Sequence, residues 1–286
     1  DRLSYGKTCN DLLACILDVL DLEWDWKERR RIVEKGIGYA EKCIIALSYP
    51  EDVNELVRVY SMASLLCYYA EDCYDLDEQK RVSIRKSLAY AEKAAELSKE
   101  IADGYVIGFS NYAMAWATYS LRGDLESALK FAEKALQQVR RTRDNVIGGL
   151  VHFVLAQAKD WIMEAEEDPD KKRQGYAEVV RHSKEALKCG QLSSYDRITV
   201  YAFYLLAESY TYLGREVETS SKKKLRLLQK AVKTGQMGLE HAVRSDVPRV
   251  TLFMLHELSK ALYFLSTLKM QVEEKRRLLE ESLKYR

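Results

Sequence analysis

The sequence predicts an all-α protein, a superhelix (solenoid) of about six antiparallel helix hairpins. Three observations predict it. Gly occurs 13 times and Pro 3 times in 286 residues, below the roughly 7% and 5% of ordinary chains, so few positions break a helix. Apolar residues recur at three- and four-residue spacing nearly throughout, and strict alternation over a strand length is absent; that is the helical period. Finally, one short segment recurs: Tyr39-Ala-Glu-Lys-Cys43, Tyr90-Ala-Glu-Lys-Ala94, Phe131-Ala-Glu-Lys-Ala135, His182-Ser-Lys-Glu-Ala186 and, more weakly, Thr234-Gly-Gln-Met-Gly238. Their closing small residues stand 51, 41, 51 and 52 residues apart. Self-similarity at such a period marks a helical repeat.

The elements follow from the breaks. The first hairpin, 5–49, turns at Asp21–Trp26 and ends at Ser48–Asp52, where Pro50 follows a helix. The second, 50–102, turns at Asp75–Glu78. The third, 103–141, turns at Arg122–Asp124, with Asp124 after Gly123. The fourth, 143–190, turns at Glu166–Asp170, where Pro169 suits a first helical turn. The fifth, 194–243, has a turn lengthened through Gly214–Ser221. The sixth, 246–286, starts on Pro248 and turns at Lys269–Gln271. On the second helices, Ala40 and Cys43, Ala91 and Ala94, Ala132 and Ala135, Ser183 and Ala186, Gly235 and Gly238 form a low ridge. Such a ridge lets a neighbouring helix approach closely. The repeat makes 1–286 a single domain. The chain begins at Asp1 without Met and ends inside a helical pattern, so it is expected to be a piece of a longer protein.

The third hairpin resembles the tetratricopeptide repeat. It carries Tyr112, Ala115-Trp116 and Tyr119, then Gly123-Asp124-Leu125, Ala128, Ala132 and Ala135-Leu136. Trp116 departs from the pattern, which prefers a small residue there. The fifth hairpin matches with Phe203, Leu206-Ala207, Tyr210, Gly214, Ala231 and Gly238-Leu239. The period exceeds the usual 34, so the likeness is to elongated variants, such as kinesin light chain or bacterial peptide-sensing regulators. The resemblance implies a concave groove lined by first helices, holding a protein or peptide. Groove candidates are Tyr60, Met114, His152, Lys159, Tyr201, Tyr204 and Tyr212, with Glu208 among their neighbours. Tyrosine supplies amphipathic contact area at recognition surfaces.

Composition removes other classes. Basic and acidic side chains number 45 and 44, a net charge of +1, without the basic excess of a nucleic-acid binder. Four basic clusters, 27–31, 171–173, 222–224 and 275–277, begin second helices beside acidic residues. A salt-bridged edge is the reading preferred to a site for an acidic partner or a phosphate. No stretch matches the roughly 20 apolar residues of a membrane span; the most apolar run, Val200 to Ala207, is short. Cys9, Cys15, Cys43, Cys67, Cys73 and Cys189 form no C-x-x-C pair, so reduced core thiols and a cytoplasmic location are expected.

Gly6-Lys7-Thr8 lacks the first Gly of a phosphate loop, and His256-Glu257 lacks a second His at Lys260. The acidic run 164–170 lacks the pattern of a calcium loop. No catalytic residue, metal ligand or cofactor is therefore expected. The reading is a non-enzymatic scaffold or sensor module. Its rivals are a self-associating structural element and a helical enzyme. Buried carboxylates with shifted pKa, converging in a pocket, would favour the enzyme.

Overall fold

The computed structural model describes residues 2–23, 25–47, 53–120, 124–268 and 271–285. Twelve α-helices and no strand occur among the described residues. Six hairpins follow one another: α1 (Arg2–Leu22) with α2 (Trp26–Ala46), α3 (Val53–Glu71) with α4 (Asp77–Leu97), and α5 (Gly104–Ser120) with α6 (Leu125–Thr142). Then come α7 (Asn145–Ala165) with α8 (Pro169–Ser193), α9 (Asp196–Tyr212) with α10 (Ser221–Arg244), and α11 (Pro248–Thr267) with α12 (Val272–Lys284). Pro50 and Gly123 lie outside the described residues. The chain packs as two compact units, 1–154 and 155–286, with the boundary inside α7.

Local chemistry sets the helix starts. The Asp25 side chain accepts from the backbone N–H of Lys27 and Glu28, and Asp168 from those of Asp170 and Lys171. These bonds satisfy amides left unpaired in a first turn. Pro169 and Pro248 stand in first turns, where a missing N–H costs nothing. The long fifth turn is a π-helical turn, Leu213–Val217, before α10. Arg143 (φ 57°), Ser194 (φ 54°) and Asp246 (φ 50°) hold left-handed backbone, two of them as helix C-caps, without the usual glycine.

The small-residue ridge is buried on every second helix that carries it. In unit 1, Ala94 packs with Val57 and Val106, and Ala91 with Met114 and Ala117. In unit 2 a Cβ added at Gly238 would meet Met254 Cε at 2.4 Å and Phe203 Cβ at 2.7 Å. Serine joins two of the hairpins. Ser87 donates to the Ser64 carbonyl at 2.9 Å, and Ser282 to the Ser259 carbonyl at 2.9 Å, each across 23 residues.

Two expectations need correction. Cys9 and Cys43 are paired as a disulfide across α1 and α2, with Cα atoms 6.2 Å apart; the pairing is tertiary, so no short spacing announces it. Helix α7, at 21 residues, is long and apolar enough to cross a membrane by length and composition, and 61% of its most apolar stretch is buried against protein. That burial is the pattern of a core helix.

Candidate functional site

The first helices of unit 2 carry acids inside apolar stripes. Asp160 lies on α7, Glu208 on α9 and Glu257 on α11, and they are 2%, 8% and 1% exposed. Burying a carboxylate is costly unless it is paired or protonated. One cation faces them among the described residues: Lys260 Nζ lies 2.6 Å from Glu257 Oε1. Tyr204 Oη donates to Glu208 Oε1 at 3.0 Å, and Tyr212 Oη to Glu164 Oε1 at 3.3 Å. Tyr176 stacks on Tyr212 with centroids 5.5 Å apart.

Electrostatics follow from this crowding. Burial, then the carboxylates of Glu164 and Glu257, push Asp160 up to about 7, with Lys260 opposing. Burial, then Asp160 and Glu257, push Glu208 well above the carboxylate range. Burial and neighbouring acids also raise Tyr176, Tyr204 and Tyr212. The cluster therefore holds protons at neutral pH that a solvated acid would lose. Asp160 Oδ1, Glu257 Oε2 and Tyr176 Oη find no hydrogen-bond partner among the described residues.

The sequence-derived groove residues divide between the units. In unit 2, Tyr204 and Tyr212 border the carboxylates. Tyr201 packs on the core formed by Val200, Phe203 and Met254. Lys159 turns to α8, where it meets Glu178 at 3.1 Å. In unit 1, Met114 is 8% exposed and packs with Ala91 and Ala117, so it is core and not groove surface. Tyr60 packs beside Val57, with its ring 6.1 Å from that of Tyr90. His152 is half-buried on α7. Trp116, the departure from the repeat pattern, centres an aromatic cluster with Tyr68 at 4.7 Å, Tyr119 at 5.2 Å and Phe153 at 5.8 Å. Large rings there fill the face that a small residue would leave open.

A concavity of about 600 Å³ lies in unit 1 between α2 and α4. Two ion pairs lie in its wall: Arg30 meets Glu34 at 2.9 Å and Lys86 meets Glu41 at 3.6 Å. Cys67 is at its floor, with a thiol pushed by burial to about 12, too high for a nucleophile. The basic clusters also pair locally, through Arg31–Glu28, Lys172–Glu216, Arg173–Asp170, Lys223–Glu218 and Arg276–Glu280.

Sequence reasoning named Glu208 beside the groove, weighed Glu257 only against a zinc motif and missed Asp160. Their signal was an acid within an apolar helix stripe, as in Leu155–Met163 and Met254–Leu258.

No family model and no curated protein sequence matches the chain. Solved structures do. A signal-transduction ATPase with numerous domains from Pyrococcus horikoshii, carrying a tetratricopeptide repeat sensor, aligns with a TM-score of 0.53 and 16% identity. The alignment covers 91% of this chain and 37% of that one, so this chain spans well under half the length of that protein. A circular tandem repeat protein aligns at TM-score 0.36 and 15% identity, over 100% of this chain and 72% of that one. A de novo designed helical repeat protein aligns at 0.32 and 15%, over 91% and 96%. The first of these likenesses shows the fold: the chain is an all-α helical-repeat protein.

Proposed function

We propose that the chain is a tetratricopeptide-like scaffold or sensor module. It binds a protein or peptide on the first-helix face of unit 2 and performs no catalysis. One observation carries this reading. Tyr204 and Tyr212, both half-buried, and Phe253, 39% exposed and 5.7 Å from the Tyr204 ring, form an aromatic surface above polar groups that are not all paired. Aromatic surface over orienting polar groups is the composition of recognition sites. The sensor named in the Pyrococcus horikoshii protein is in keeping with it.

The test compares two variants against a partner recovered by pull-down. Tyr204→Ala is expected to weaken binding by about 1–2 kcal/mol or more with the helical signal unchanged. Reversing Lys222, Lys223 and Lys224 to Glu is expected to leave it within about 0.5 kcal/mol. The opposite pattern moves the site to the basic edge. Unfolding of Tyr204→Ala makes that tyrosine core. Mass in solution that rises with concentration favours self-association instead.

A second reading, a helical enzyme, draws on the carboxylates themselves, because Asp160 near 7 suits general acid–base work. Their burial keeps substrate from them in this conformation. Turnover abolished by Asp160→Asn is the result that would establish it.

A further inference from the structure

A smaller cleft, of about 300 Å³, opens in unit 2 between α11 and the end of α12. Its α11 wall is built from Leu252, Leu255, His256, Ser259, Lys260 and Tyr263. These stand at i, i+3, i+4, i+7, i+8 and i+11, which is one face of a helix. Lys284, the last residue of α12, and Tyr285 complete the lining from the other side. The two sides are tied together. Ser282 donates to the Ser259 carbonyl at 2.9 Å, and Tyr285 packs against the core that holds Leu258, Leu262 and Leu278. The cleft is therefore preformed within one hairpin. None of Tyr204, Tyr212 and Phe253 lines it, so its occupancy is independent of the partner-binding face.

Charge sets the class of ligand. Lys260, Lys284 and His256 line the cleft, and no Asp or Glu does among the described residues. The concavity of unit 1 differs, since Glu34, Glu41 and Glu78 stand in its wall beside Arg30 and Lys86. Lys260 is balanced by Glu257, which is 1% exposed and outside the lining. Among the described residues no carboxylate pairs with Lys284 or His256. Lys284 thus brings a net positive charge, and Tyr263 and Tyr285 add two phenol hydroxyls to the lining. Ammonium, imidazole and phenol groups all donate hydrogen bonds, which suits an anionic head group.

The apolar lining sets the rest. Leu252 is 47% and Tyr263 45% exposed, and the Tyr263 and Phe264 rings meet edge to face with centroids 5.4 Å apart. A bare inorganic anion leaves that surface in water, whereas a planar apolar body covers it and adds a ring to an aromatic pair. A volume of about 300 Å³ is at the small end for ligand sites, enough for one ring and a short arm. We infer that the α11–α12 cleft binds a small aryl acid. Its ring lies against Leu252, Leu255 and the Tyr263–Phe264 pair, and its carboxylate or phosphate is held by Lys284, Lys260 and His256. Lys260 keeps its bond to Glu257 and gives the ligand one of its remaining donors.

The experiment is calorimetric titration of the whole chain at low salt with 3-phenylpropionate, phenyl phosphate and, as the uncharged counterpart, 3-phenylpropionamide. Saturable binding of at least one acid is expected, with a dissociation constant of about 1 mM or below. The amide is expected to bind about tenfold more weakly or worse, and about 0.5 M salt to weaken the acid about threefold or more. Lys284→Gln and His256→Gln, both at exposed positions, are each expected to weaken the acid about three- to tenfold. Tyr263→Ala is expected to weaken acid and amide alike, by about threefold or more. Replacing Lys222, Lys223 and Lys224 by Gln is expected to leave affinity unchanged. The acid that binds names the head group, and either one upholds the inference. Absence of saturable binding by both acids overturns it. So does an amide that binds as well as the acid, or a Lys222–Lys224 variant that weakens binding as much as Lys284→Gln, which reduces the contact to general surface attraction. If one of the cleft variants does not fold, the amide comparison and the remaining variants decide the matter.

Discussion

Lys260 Nζ lies 2.6 Å from Glu257 Oε1, and the same ammonium counters both Asp160 and Glu208. One cation thus serves three buried acids, and protons supply the remaining neutralisation. Stability becomes a function of pH through this cluster, with a sign that follows from Asp160.

Asp160 holds its proton to about 7 in the folded chain, against about 3.9 in an unfolded one. Between those values the folded state binds more protons than the unfolded state. The contribution is fully present below about pH 4 and is lost as pH rises through 7. Glu208 acts in the same direction. Urea unfolding of the wild-type chain should show stability falling by roughly 2–4 kcal/mol from pH 5 to pH 8. Asp160→Asn should flatten that slope. An equal slope in the variant would place the pH dependence elsewhere.

Two helical glycines should respond oppositely to alanine. At Gly238 an added Cβ meets Met254 Cε at 2.4 Å and Phe203 Cβ at 2.7 Å, whereas at Gly38 nothing lies within 4 Å. Gly238→Ala is expected to cost about 1–3 kcal/mol through overpacking. Gly38→Ala is expected to stabilise by about 0.5–1 kcal/mol, since alanine loses less backbone freedom in a helix. Thermal unfolding of both variants checks this. A stabilising Gly238→Ala would mean that the ridge has room to spare.

These contrasts show what the sequence made legible. Helix pairing and the buried ridge, Ala94 and Gly238 included, repeat along the chain, so periodicity exposes them. Tyr204, Tyr212 and Glu208 were named by the same logic, since the repeat tells first helices from second ones. Asp160 and Lys159 differ by one position, about 100° around a helix, and only packing decides which joins the carboxylates and which meets Glu178. Met114 was misplaced for a related reason. The Trp116 cluster fills the neighbouring face, and ring size alone does not say which side it occupies. The Cys9–Cys43 contact joins two helices across 34 residues, beyond any local pattern.

The serine pairs test whether two hairpins use one device. Ser64 and Ser87 hydroxyls lie 3.1 Å apart, and those of Ser259 and Ser282 lie 3.0 Å apart; all four residues are buried. Each pair ties its first helix to its second. Alanine at Ser87 or at Ser282 is expected to cost about 1–2 kcal/mol. Double-mutant cycles on the two pairs should give coupling energies equal within about 0.5 kcal/mol. Coupling in one pair alone would show that the resemblance is geometric and not energetic.

The cysteines give the last prediction, and it separates a bridge from a contact. Cys9 and Cys43 form a disulfide, while Cys15, Cys67, Cys73 and Cys189 do not. Thiol titration of the denatured, unreduced chain should therefore find four reactive groups. In the folded chain Cys15, which is exposed, should react first. Cys67, buried and pushed to about 12, should stay silent, because the thiolate is the reactive form. The bridge spans 34 residues, so closing that loop in the unfolded chain is expected to stabilise by about 4 kcal/mol. Reduction should lower the urea midpoint accordingly, with faster amide exchange in α1 and α2. Cys43→Ser should reproduce the loss without reductant. Six reactive thiols in the denatured chain, together with a midpoint insensitive to reductant, would restore the expectation of reduced core cysteines and leave Cys43 as one more small residue of the ridge.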